Sequence, residues 1–403
     1  MHWIDWSIVV VCVTLLGIFS LYTTRHVKVV ADFLAASRSG GRYLITIASQ
    51  IAAIGAVSGV AQFEMYYAVG FVPIWWQLMS IPVWVIIVMS SYVCYRFRET
   101  RAMTMAQFYE MRYSKASRVY AGIITWVSGL VNFGIFPIVE ALFIVYFCGL
   151  PPTITALGWT ISTVAPVMLL TLATSLLFAS MGGQITVMAT DCAQGIFCGF
   201  AYLFIAVFLM VKIPWSDLVQ GLSMSPAGAS VLNPYDTAGF RDFNVWFFLV
   251  GIFGMVYGYM SWQGSAGYQS SALNPHEQKM SAIIGGWRTL VQSLMIVLIA
   301  VSAYAFLHLP KYATSAAEVQ SVIQTIPTET LQKQMRVPIA LAHMLPAGLK
   351  GLFATIMLFF LITTQDTYMH SWGSMLIQDV VLPFRKKAVH PQDPVGLAAA
   401  IHR

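Results

Sequence analysis

Leu352–Val381, LFATIMLFFLITTQDTYMHSWGSMLIQDVV, is long and apolar enough to cross a bilayer, yet its middle is polar. Wound at helical pitch, Thr363, Thr364, Asp366, Thr367, His370, Ser371 and Ser374 fall on an arc of roughly 160°. Leu361, Ile362, Met369 and Trp372 take the opposite side. An ionised aspartate at mid-depth against lipid costs about 3 kcal/mol or more, and a histidine is similarly disfavoured. The arc must therefore face other helices or a wet cavity between them.

The rest of the chain has the composition of a membrane protein. Of its 403 residues 58% are hydrophobic and 9% charged, whereas a soluble domain carries about 25% charged residues. The net charge of +6 does not indicate nucleic acid, because the basic residues sit in short loops between apolar spans. Cys12, Cys94, Cys148, Cys192 and Cys198 lie in or beside spans without metal-ligand or disulfide spacing, and read as small apolar residues. Trp3–Phe19 lacks the basic flank of a signal peptide, so it reads as a retained first span. HExxH, GxSxG and paired intramembrane aspartate motifs are absent, which argues against an intramembrane enzyme.

Apolar stretches predict nine helices, near 5–24, 43–68, 72–95, 118–148, 160–180, 185–211, 243–263, 283–308 and 349–380. Sixteen Lys and Arg lie at 25–42, 96–118, 279–288 and 385–403, and the remaining six at 212, 241 and 311–350. The richer set belongs inside, which puts the N-terminus outside and the C-terminus in the cytoplasm. Residues 98–118 read as a basic interfacial connection. Residues 310–346 read as an outer excursion, a short helix plus a lid, with Pro327 and Pro338 as breakers.

Two spans look broken. ASQIAAIGAVSGVAQFEMYYAVG (48–70) carries Gly55 and Gly59 at mid-depth, and WFFLVGIFGMVYGYMSWQGSAG (246–267) carries five glycines. For either span alone, close packing through small residues is the simpler account. The occurrence of both, five spans apart, favours unwound backbone that offers carbonyls to an ion and helix ends to a solute.

Four blocks in order resemble the sodium:solute symporter family, whose members share the LeuT-type inverted-repeat fold. They are ADFLAASRSGGR (31–42), AMTMAQFYEMRYSKASR (102–118), MGGQITVMATDCAQG (181–195) and the segment 337–381 that contains the opening stretch. The resemblance implies an all-α polytopic membrane protein: an extra N-terminal helix at 5–24, a first five-helix repeat at 43–211, a second repeat from 243 to 380, and a tail at 381–403. The second repeat holds spans for core helices six to eight but none for nine and ten, so the chain is expected to be C-terminally truncated.

Carried over position by position, the family's sodium site would use the carbonyls of Ile51, Ile54 and Phe360 with the hydroxyls of Thr363 and Thr364. Hydroxyls and carbonyls suit a monovalent cation, and a divalent one would normally recruit carboxylates. The same threonines could instead bond back to the preceding turn. Asp191 would lie on the ion's release path, or serve as a helix-end partner. Asp366 and His370, one turn apart, could form a hydrogen-bonded pair that couples transport to protons. For the solute, Gln62, Glu64, Asn132, Glu140, Tyr257, Tyr259, Trp262 and Gln263 offer aromatic faces beside amides and carboxyls, suited to a sugar or an amine, although any one of them is simpler as packing. The resemblance thus implies Na⁺-coupled symport of a small organic solute, a sugar, amino acid or carboxylate, across the plasma (inner) membrane, with Na⁺ as coupling ion and no organic cofactor. A truncated, non-transporting relative that senses, binds or assembles is the alternative.

Overall fold

The computed structural model describes residues 1–385 except 91, 157–158 and 260; Lys386, Lys387, Arg403 and the tail between them lie outside the described residues. The chain opens with α1 (Trp3–Thr24) and the short α2 (Val30–Ala35). Then α3 (Arg42–Ala53) and α4 (Ala56–Val69) meet at a 65° bend. Next come α5 (Val72–Ser90), α6 (Cys94–Glu99), α7 (Met105–Arg112), α8 (Lys115–Phe133) and α9 (Phe136–Cys148). An antiparallel hairpin, β1 (Thr153–Ala156) and β2 (Trp159–Ser162), precedes α10 (Val164–Lys212). The chain continues through α11 (Trp215–Ser223), α12 (Val245–Tyr257), α13 (Ala266–Ser270) and α14 (Pro275–His308). It ends with α15 (Ala313–Gln324), α16 (Glu329–Met344) and α17 (Leu349–Met375).

Among the described residues six helices are long and apolar enough to cross a membrane, seven with the bent α3–α4 pair. The nine expected spans reconcile with these elements. Two of them are the halves of α10 on either side of a kink at Gly183, and α12 is the helical part of the second broken span. Two expectations fail. The span placed at 160–180 starts only at Val164, because 153–162 forms the hairpin. Pro338 lies inside α16; its ring is tolerated within a helix that is packed on α4, α9 and α14. The expected excursion at 310–346 is therefore a helical hairpin, α15 and α16, with Pro327 in the bend between them.

The basic loops meet on one face. There the Arg38 guanidinium donates to the Arg101 carbonyl at 2.9 Å, Arg98 donates to the Ala272 carbonyl at 2.6 Å, and Arg42 pairs with Glu277 at 2.5 Å. On the opposite face Lys212 donates to the Met344 carbonyl at 2.5 Å and Lys311 pairs with Asp217 at 3.1 Å. The N-terminus belongs to this second face. Buried Asp5 accepts from the backbone N–H groups of Gly348 (2.7 Å) and Gly351 (2.9 Å), and so caps α17 from another helix.

The centre of the fold is α17, where 83% of the most apolar window is buried. Its polar arc is enclosed, and so is the other side: Leu361, Ile362 and Trp372 are each at most 4% exposed. The helix is ringed by α1, α3, α4, α8, α9 and α10. The kink in α10 follows from its glycine pair. Gly183 has φ +53° and ψ −147°, a region nearly closed to other residues, and a Cβ there would stand 2.5 Å from the Phe33 carbonyl oxygen. Gly183→Ala is expected to cost about 2–5 kcal/mol from backbone strain and overpacking together, read as a lowered midpoint in thermal unfolding of the purified protein.

Candidate functional site

The site begins where α3 stops. A helix leaves its last carbonyls without intrahelical partners, and the bend at Ile54 (φ −106°, ψ 73°) keeps α4 from supplying them. The Ile54 N–H donates back to the Ile51 carbonyl at 3.2 Å. No backbone N–H is bonded to the Ile54 carbonyl among the described residues. The Thr364 hydroxyl crosses from α17 and donates to the Ala52 carbonyl at 3.3 Å. Gly55 makes this approach possible, since a Cβ on it would lie 2.6 Å from Thr364 Oγ1. Ile51, Phe360, Thr363 and Thr364 are all essentially fully buried here.

Thr363 and Thr364 part company. A rotation of about 100° per residue turns Thr364 to the break and Thr363 toward Asp191 of α10. Asp191 is fully buried. It accepts from the Tyr268 hydroxyl, and from Thr367 Oγ1 at 3.4 Å, while Tyr268 and Thr367 are 2.8 Å apart. Asp366, also fully buried, lies within electrostatic reach of Asp191, and among the described residues only Thr367 of its own helix stands near enough to bond it. Two such carboxylates, with no protein cation on either among the described residues, cannot both be ionised at tolerable cost. The arrangement calls for a bound cation or a proton.

The expected Asp366–His370 pair is not formed. His370 Nε2 is bound to the Phe33 carbonyl at 2.8 Å, and Nδ1 has no partner among the described residues. The Phe33 carbonyl is presented by α2, whose N-terminus is held by Asp32. Burial pushes the Asp32 carboxyl up, but the Ser37 hydroxyl and the Lys28 and Val29 N–H groups outweigh it and hold the carboxyl below its usual value.

The expected solute residues scatter. Glu140 on α9, 1% exposed, accepts from Gln365 Nε2 of α17 at 2.5 Å. Trp262 packs its ring on Tyr368 and Trp372, with centroids 5.7 and 5.5 Å apart. Gln263 is buried beside it. Gln62 and Asn132 are half-buried, each with an unpartnered buried side-chain oxygen among the described residues. Glu64 faces away, toward Lys333 and Arg336 of α16. Tyr257 is 86% exposed and takes no part. Tyr259 neighbours Cys94 and lines a separate cavity of about 620 Å³ with Gln77, Trp84 and Trp287. Tyr268 and Gln365, the latter directly after Thr364, were missed by sequence reasoning, and Thr367 was named only as part of the polar arc.

The sequence profile of the sodium:solute symporter family matches residues 33–401. The chain belongs to the sodium:solute symporter family. Among solved structures, the symporter resembles a Na⁺-coupled sialic acid symporter in a substrate-bound outward-open state that reveals a novel Na⁺ site. The TM-score is 0.78 at 14% identity, over 97% of this chain and 76% of the other. The fold is therefore the LeuT-type all-α fold expected. No curated protein matches the chain. The family match runs to residue 401 and lends no support to a truncated chain. Family and neighbour are transporters, which fits a role other than catalysis.

Proposed function

We propose that the protein moves a small organic solute across the plasma (inner) membrane by alternating access, driven by Na⁺ entering down its gradient. The observation that carries this reading is the hydroxyl of Thr364 resting on the open carbonyl end of α3. Here a helix break and a threonine present neutral oxygens to one point inside the bundle, a donor set for a dehydrated monovalent cation. Ile51, Ile54, Phe360 and Thr364 supply those oxygens, and Thr363, turned toward Asp191, leads from them to the carboxylates. Asp191 and Asp366 form the next cation position along the ion's path, where their combined charge favours a cation that has left the first shell. On this reading the face gathering Arg38, Arg42, Arg98 and Arg118 is cytoplasmic and the N-terminus lies outside.

The test is sodium-gradient uptake into proteoliposomes, with a panel of sugars, amino acids and carboxylates. Wild-type protein is expected to concentrate at least one of them only when sodium is high outside. Thr364→Ala should raise the sodium concentration for half-maximal uptake about tenfold, the equivalent of about 1.4 kcal/mol for one lost ligand. Equal sodium response in wild type and variant would overturn the ion site. Uptake of no panel member, with or without sodium, would overturn the transport reading.

A further inference from the structure

The buried carboxylate of Glu140 has no protein cation on it among the described residues, and an aromatic cluster centred on Tyr368 lies close to it. Gln365 is the hydrogen-bond partner of this carboxylate, and no Lys, Arg or His pairs with it among the described residues. Gln365 donates Nε2 to one oxygen. That leaves Glu140 Oε1 and Gln365 Oε1 as two buried acceptors without donors among the described residues. The amide orientation follows from this contact, because the opposite one would set oxygen against oxygen. Tyr368 lies within electrostatic reach of Glu140. Around Tyr368 stand Phe136, at 5.5 Å between ring centroids, and Trp262 at 5.7 Å. Trp262 lies between the end of α12 and the start of α13, so its ring is presented from outside a helix.

We infer that this is the solute subsite and that it takes a protonated amine carrying N–H donors. The inference rests on the proposed transport reading and names its substrate class. A carboxylate close to aromatic faces, in a dry site, recognises a cation by charge and by cation–π attraction. The two unpaired acceptors go further. A primary or secondary ammonium donates to both, whereas a quaternary ammonium of the same charge leaves both unsatisfied. A neutral alcohol leaves the carboxylate without a counter-charge, and a carboxylate solute is repelled. Gln365 follows Thr364 directly in sequence, so a solute that pulls on Gln365 also acts on the residue proposed to hold sodium.

The experiment uses the full-length protein in nanodiscs, with tryptophan fluorescence and thermal unfolding as readouts. The probes are a panel of aliphatic, aromatic and amino-acid amines, each with its alcohol, N-trimethyl and carboxylate analogue. In sodium, at least one amine should give a saturable fluorescence change and a higher unfolding midpoint, and its alcohol and N-trimethyl analogues should bind at least tenfold more weakly. Glu140→Gln should weaken amine binding about 30-fold or more, whereas Glu140→Asp should retain part of it. Both variants should keep the stabilisation by sodium alone, which reports the Thr364 site and the integrity of the fold. Binding of alcohol or carboxylate analogues as tightly as amines would overturn the inference, as would silence of every amine while sodium still stabilises. Unchanged amine binding in Glu140→Gln would do the same, and would leave Glu140 as a protonated structural partner of Gln365. Absence of any sodium response in the wild type would instead strike at the symport reading.

Discussion

Gly55→Ala is expected to leave the symporter folded and to weaken its sodium response roughly 10- to 100-fold. The backbone is not the obstacle, since Gly55 has φ −65° and ψ 164°, ordinary extended geometry for alanine. The obstacle is Thr364. A Cβ on residue 55 would stand 2.6 Å from Oγ1, 3.1 Å from Cγ2 and 3.2 Å from Cβ of that threonine. Either the threonine rotates its hydroxyl away from the α3 carbonyls or α17 moves back from the break. Overpacking of this kind costs about 1–3 kcal/mol, and all of it falls on the geometry of the ion's oxygens. Gly59→Ala is the control. It lies one turn further on, and its Cβ would meet Met357 at 3.6 Å and Phe360 at 3.9 Å, ordinary contacts. The measurement is the sodium dependence of thermal unfolding and of uptake for wild type and both variants. If Gly55→Ala and Gly59→Ala behave alike, Thr364 is not part of the ion's shell.

The part of this site that was legible in the sequence is the part written in local spacing. The polar arc of Leu352–Val381 is a matter of i, i+3 and i+4 offsets, and the break at Ile54–Gly55 is marked by a glycine inside an apolar run. Both are where the spacing put them. What could not be read is pairing across the chain. Glu140 and Gln365 are 225 positions apart, Tyr268 and Asp191 are 77 apart, and His370 and the Phe33 carbonyl are 337 apart. Nothing in the local pattern of either partner reports such a meeting. The one local pairing proposed, Asp366 with His370, failed for this reason: the histidine's nitrogen was already claimed by a distant carbonyl. Spacing does not assign the apolar side of α17, and Leu361, Ile362 and Trp372 on it are buried, because a central helix in a large bundle is enclosed all round. Tyr257 and Tyr259 show the converse. Composition alone could not separate two tyrosines around Gly258, of which one is largely exposed and the other lines a different cavity.

Breaking the ion pair between Arg118 and Asp379 at the basic face should be strongly destabilising. Asp379 follows α17, its side chain is 1% exposed, and it accepts from Arg118 Nε at 2.9 Å and from Thr104 Oγ1 at 2.8 Å. Arg118 also donates to Glu110 at 2.6 Å and to the Gln378 carbonyl at 2.8 Å. The network thereby pins the start of α8 and the N-cap of α7 to the end of the central helix. Asp379→Ala removes one carboxylate and leaves a partly buried guanidinium and a buried hydroxyl short of partners, at a cost of about 3–5 kcal/mol. Arg118→Ala strands a buried carboxylate and should cost a similar amount. The pair itself is worth less than either loss, because most of each penalty is the desolvation of the partner left behind. Arg118→Met with Asp379→Leu should therefore be more stable than either single alanine variant. Additive losses, with the double substitution as unstable as the two singles combined, would show that the residues act separately and that the network does not hold the helix ends together. Tight packing around the pair sharpens the prediction. A Cβ on Gly122 of α8 would lie 2.7 Å from the Asp379 Cβ, so the helices cannot approach to absorb the lost volume, and the cost of the single substitutions stays near the upper end of the range.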